Sequence, residues 1–132
     1  MPDELYPSPD PGLSRKRREL APDVATAFAA FSKQVFADGA LPARTKQLIA
    51  VAVAHVTQCP YCIRGHTRGA LRAGASEAEI MEAIWVAAEM RAGGSYAHSI
   101  IALSEMERVE GAEPGLHGSV EGHGGRAEPA TP

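Results

Sequence analysis

A chain of 132 residues with 45% hydrophobic side chains holds one folded domain and is too short for two comfortable cores. Its net charge of −3 gives no broad positive field of the kind that holds nucleic acid or an anionic membrane, so neither is expected as a partner. Two cysteines three positions apart cannot staple distant loops as a secreted disulfide framework does, and no leader or membrane-length apolar run stands out, so a cytoplasmic protein is expected.

Residues 1–20 are expected to form a flexible arm, because Pro2, Pro7, Pro9 and Pro11 crowd their first half. The run Arg15-Lys16-Arg17-Arg18, flanked by Glu19 and Asp23 and lacking interleaved aromatics, is taken as solvated surface. The folded domain is expected over residues 21–110. Pro22-Asp23 opens its first helix, where Val24, Phe28, Phe31, Val35 and Phe36 recur at helical spacing until Gly39, a stripe expected in the core. Pro42 starts the second, Thr45 to Thr57, apolar almost all round and so expected at the centre. The third begins at the cysteine motif and ends at Gly74. Ser76-Glu77-Ala78-Glu79 is a capping box opening a fourth, Ile80 to Arg91, and Gly93-Gly94 separates it from a fifth, Ser95 to about Arg108. No stretch alternates as a strand would, so the fold class is all-α, a bundle of five to six helices. Residues 111–132, rich in Gly, Pro and Glu, are expected to be a disordered tail, and His117 and His123 within it receive no role.

The chemistry is concentrated in Cys59-Pro60-Tyr61-Cys62. At the first turn of a helix, unpaired backbone N–H groups and the helix dipole stabilise a thiolate, which makes the cysteines reactive. Pro60 suits that turn because its missing N–H is not needed there, and the spacing lets the sulfurs cycle between dithiol and disulfide. His66 follows Cys62 by one helical turn and is therefore the expected base for it.

Gln58-Cys59-Pro60-Tyr61-Cys62-Ile63-Arg64-Gly65-His66-Thr67, followed by Ala73-Gly74-Ala75-Ser76-Glu77-Ala78-Glu79-Ile80, closely resembles the core of the alkylhydroperoxidase D-like and carboxymuconolactone decarboxylase superfamily. The resemblance covers about residues 41–103. It implies a helical fold assembled as dimers, trimers or trimers of dimers. It also implies that Cys62 attacks a hydroperoxide, that Cys59 resolves the sulfenic acid as a disulfide, and that His66 belongs to a proton relay. A dithiol reductant would then restore the pair.

One position departs from that pattern. The peroxidase branch carries a glutamate twelve residues before the first cysteine, where this chain has Gln47, and an amide cannot favour an imidazolium by its charge. Another carboxylate is then wanted. Glu82 and Glu89 share a stripe on the fourth helix, and Glu89, in its last turn beside Gly93-Gly94, is the better partner for His66; the alternative is a solvated side chain or a pair with Arg91. His55, one turn before Cys59, either completes the site or is a hydrogen-bonded core residue. His98 either lines the pocket, as its segment does in the decarboxylase branch, or lies on a helix surface or interface. Tyr61 is expected to pack.

The leading expectation is a thiol-dependent oxidoreductase that reduces hydroperoxides or exchanges disulfides through Cys59, Cys62 and His66, with Glu89 assisting and with no cofactor or metal. Three alternatives compete: a metal site built from Cys59, Cys62 and His66 with His55 or Glu89, a lyase acting on a cyclic lactone, and a helical oligomer that senses redox state. Homo-oligomerisation is expected on physical grounds too, because the second and fourth helices are more apolar than a lone five-helix unit can cover.

Overall fold

The computed structural model describes residues 5–8 and 10–112; of the expected C-terminal tail over residues 111–132, Gly111 and Ala112 are helical and the rest, with His117 and His123, lies outside the described residues. Five helices follow in order: α1 (Pro11–Leu20), α2 (Pro22–Phe36), α3 (Ala43–Thr57), α4 (Pro60–Arg72) and α5 (Glu77–Ala112). The described residues contain no strand, in keeping with the all-α expectation.

Local signals set most boundaries. Asp10 Oδ1 accepts the Leu13 N–H at 2.7 Å, and Pro11 at the first helical position needs no partner, so α1 forms where the proline-rich arm was expected. Pro22 likewise opens α2, there without a side-chain cap. The α2–α3 connection is tied at both ends: Lys46 Nζ donates to the Ala37 carbonyl at 2.6 Å, and Asp38 Oδ1 accepts the Ala43 N–H at 2.7 Å. Gln58 ends α3 in the left-handed region at φ 53°, and Gly74, at φ 89°, does the same after α4. The capping box before α5 is present in both directions, Glu79 N–H to Ser76 Oγ at 3.1 Å and Ser76 N–H to Glu79 Oε2 at 2.8 Å. Arg44 on α3 pairs with Glu79, joining α3 to the start of α5.

The expected break at Gly93-Gly94 is absent: α5 runs for 36 residues through both glycines. Each glycine costs a helix interior about 1 kcal/mol relative to alanine, and strong helix formers on either side (Glu89, Met90, Ala92, Ala97) let propagation carry across the pair. The chain divides into two units after Gly93. The described part of the second unit is the helix from Gly94 to Ala112, along which Arg108 pairs with Glu105 on the surface and holds that carboxyl below its ordinary value through their hydrogen bonds.

In the first unit the core is small. Val51 on α3, Ala70 on α4, Ala75 in the connection and Ile80 on α5 form one buried cluster, against which Leu48 and Ile84 pack. The branched side chains of Val51, Ile80, Leu48 and Ile84 pack around the two alanines. The expected aromatic core along α2 is not formed among the described residues: Phe28 and Phe31 are 68% and 63% exposed, their rings tilted against each other. Nor is α3 covered on most sides, since Val51 and Ala54 are buried while Ile49, Val53 and Val56 are exposed. No helix among the described residues is long and apolar enough to cross a membrane.

Candidate active site

The left-handed turn at Gln58 redirects the chain so that Cys59 becomes the N-cap of α4, and Pro60 and Tyr61 occupy the next two positions. Cys59 Sγ accepts the Cys62 N–H at 3.2 Å, so a sulfur plays the part that a serine oxygen plays at most helix starts. The two cysteines are joined as a disulfide, their Cα atoms 5.2 Å apart. Reduction of that bond leaves one sulfur at the cap and the other in the first turn, where the helix N-terminus stabilises negative charge.

One turn further on, half-buried His66 is held from two sides. Its Nδ1 donates to Gln47 Oε1 at 2.9 Å, bridging α4 to α3. An amide oxygen only accepts, so the neutral ring carries its proton on Nδ1 and keeps the Nε2 lone pair for chemistry. The ring also stacks on Phe36 from the end of α2, with centroids 5.0 Å apart and planes 29° from parallel. The pinned α2–α3 connection is what brings Phe36 there.

The amide of Gln47 needs space, and Gly69 provides it. A Cβ built on Gly69 would lie 2.5 Å from Gln47 Oε1 and 2.8 Å from its Cδ, closer than side-chain carbons ever sit. Gly69 is thus an opening in α4 filled by the group that orients His66. Neither Phe36 nor Gly69 was recognised in sequence. Phe36 fitted an apolar stripe, while Gly69 did carry a weak signal, a glycine inside a helical pattern that commonly marks close packing.

The remaining candidates are more scattered. Half-buried His55 donates Nδ1–H to the Val51 carbonyl at 2.7 Å within α3. Glu89 is exposed on α5 with its carboxylate folded against Gly93, and the hydrogen bond sought from it to His66 is made by Gln47 instead. Glu82 is also exposed. His98 is exposed on the second unit. Tyr61 is 45% exposed and meets Tyr6 edge to face, with centroids 6.1 Å apart. Among the described residues no group of three or more His, Cys, Asp or Glu is placed to hold a metal ion.

Similar proteins share this segment. The profile of the carboxymuconolactone decarboxylase family matches residues 22–105, which takes in α2, α3, α4 and most of α5. Over 112 residues the chain is 58% identical to the uncharacterized protein 4 in the cox locus of Paracoccus denitrificans, covering 85% of this chain and all of that one. A crystal structure of a protein from Methanobacterium thermoautotrophicum is similar at 39% identity and a TM-score of 0.60, covering 64% of this chain and 94% of that one. Apo-lpg0406, a carboxymuconolactone decarboxylase family protein from Legionella pneumophila, is similar at 33% identity and a TM-score of 0.58, covering 74% of this chain and 87% of that one.

Proposed function

From the premise that this chain belongs to the carboxymuconolactone decarboxylase family, we propose that it is a thiol peroxidase of the alkylhydroperoxidase-like kind, in which Cys62 attacks, Cys59 resolves and His66 moves the proton. The observation that carries the reading is the pairing of two sulfurs across the first turn of α4, one turn ahead of an imidazole held by Gln47. Such a pair is suited to two-electron chemistry, and the orientation of His66 leaves Nε2 able to accept a proton.

Starting from the dithiol, His66 Nε2 takes the Cys62 proton. The thiolate attacks one oxygen of a hydroperoxide; an S–O bond forms, the O–O bond breaks, the sulfur is oxidised by two electrons, and the alkoxide leaves as an alcohol with the proton from His66. Cys59, as thiolate, then attacks the sulfenic sulfur of Cys62. The S–S bond forms, the S–O bond breaks, and hydroxide leaves as water after taking up the proton that Cys59 gave up. A dithiol reductant returns two electrons and two protons by thiol–disulfide exchange, which suits a reducing compartment such as the cytoplasm. Gln47 replaces a carboxylate in this scheme by orienting the ring without charging it; no role of Glu89 in the relay is required.

The test is stopped-flow oxidation of the reduced protein by hydrogen peroxide and by an organic hydroperoxide. Cys62→Ser should abolish the fast reaction, Cys59→Ser should halt it at a sulfenic acid that a dimedone-type probe traps, and His66→Ala should slow it by roughly 100-fold, the scale of one positioned general base. A wild-type rate no greater than that of a free thiol would exclude peroxide reduction.

A further inference from the structure

The segment before the family-matched residues builds a cavity against the redox motif. It is an open groove of about 410 Å³, roomy enough for a small molecule, and all of its lining residues but Ser14 are exposed. One wall is Tyr61, the residue between Pro60 and Cys62, and the rest of the lining is Pro7, Ser8, Asp10, Leu13, Ser14 and Arg17. The edge-to-face contact of Tyr6 with Tyr61 fastens this arm to the start of α4, and the Asp10 cap fixes the α1 helix that follows. The family match begins at residue 22, so all of the lining but Tyr61 lies outside the family-matched residues.

The lining has a definite chemical character. Pro7, Leu13 and the Tyr61 ring are apolar, and Ser14 adds a hydroxyl. Of the two charged residues that line it, Asp10 accepts the Leu13 N–H through Oδ1 at the start of α1, and exposed Arg17 carries the positive charge. Arg15, Lys16 and Arg18 flank it and reinforce the local positive potential within an otherwise acidic chain. A guanidinium beside an apolar surface suits a molecule with a short hydrocarbon body and a carboxylate, which it can grip with two parallel hydrogen bonds.

Building on the peroxidase reading, we propose that this cavity is the specificity pocket of the redox site, and that Arg17 receives the carboxylate of a reagent whose reactive end lies at the Cys59–Cys62 pair. That carboxylate belongs either to the organic hydroperoxide that oxidises Cys62 or to the dithiol that reduces the disulfide. The basic run is then part of the site rather than featureless surface.

Single-turnover kinetics on the full chain separate the two sources. Reduced protein is mixed with two alkyl hydroperoxides of equal length, one ending in a carboxylate and one neutral, and oxidised protein with a matched pair of dithiols. The expected result is a preference of roughly tenfold or more for the carboxylated member in one of the half-reactions, the size expected of a charge-assisted bidentate contact, expressed in the concentration dependence rather than the limiting rate. That half-reaction identifies the source. Arg17→Gln should bring the ratio close to one, Arg17→Lys should keep part of it, and Arg72→Gln, in the last turn of α4 and outside the lining, should leave it unchanged. Equal rates for both members in both half-reactions, or a preference that survives Arg17→Gln, would overturn the pocket. A binding arm is independent of turnover: a medium-chain aliphatic carboxylate titrated into the oxidised protein should shift the amide signals of Ser14 and Tyr61 in wild type and not in Arg17→Gln. Absent shifts would reject the pocket even if peroxide reduction is confirmed. Shifts without any peroxide reaction would retain the pocket and remove the peroxidase reading.

Discussion

At the scale of single residues, the arrangement around His66 depends on a glycine that touches no substrate. Gly69→Ala adds a methyl that must displace the Gln47 amide, the end of a flexible side chain, so the fold should tolerate it. Stability should stay within about 1 kcal/mol of wild type, the helix-propensity gain of alanine offsetting part of the crowding, while the peroxide reaction slows to the level of Gln47→Ala. The double variant should be no slower than either single one, because both remove the same support from His66, and additive losses would show that Gly69 acts by another route. Gln47→Glu makes a complementary change: the oxygen still accepts from Nδ1, but the new charge favours the imidazolium. A protonated ring cannot serve as base, so this variant should lose rate on the acidic side of its pH profile relative to wild type, and an unchanged profile would argue against base catalysis by His66.

At the scale of elements, the features that could be read in advance were those written within a few residues. Pro22, the Ser76–Glu79 box, Gly74 and the cysteine pair at the head of α4 each act on their own turn, and each lies where expected. Those that failed depend on what lies opposite or on competition between local signals. The prolines before α1 suggested an arm, yet Asp10 and Pro11 together start a helix. Gly93-Gly94 suggested a break, yet the helix continues. The stacking of Phe36 on His66 is fixed by a connection between helices, and no periodicity announces it. For α5 the continuity has a measurable corollary. A Cβ at Gly94 meets nothing within 4 Å, so Gly94→Ala should raise thermal stability by up to about 1 kcal/mol, followed by circular dichroism. A fall in stability would mean that a neighbouring surface closes on that position in the assembled protein.

At the scale of the molecule, the balance between covered and uncovered apolar surface is uneven. Among the described residues Val51 is the largest side chain buried completely, while Trp85 is 68% exposed and Phe28, Phe31, Ile100 and Ile101 are exposed too. Patches of this kind on several helices fit association with further copies of the same chain, and we expect a homo-oligomer, a trimer or a trimer of dimers. Light scattering should report a mass several times that of one chain, and Phe28→Glu should shift the population toward smaller species; a monodisperse wild-type monomer would reject association. The sparse buried cluster around Val51 then has a thermodynamic consequence. If so little of the favourable burial is completed within one copy, folding is governed by mass action, and the melting temperature rises with protomer concentration. Dilution alone would act as a denaturant, and the abundance of the chain would decide how much of it is folded.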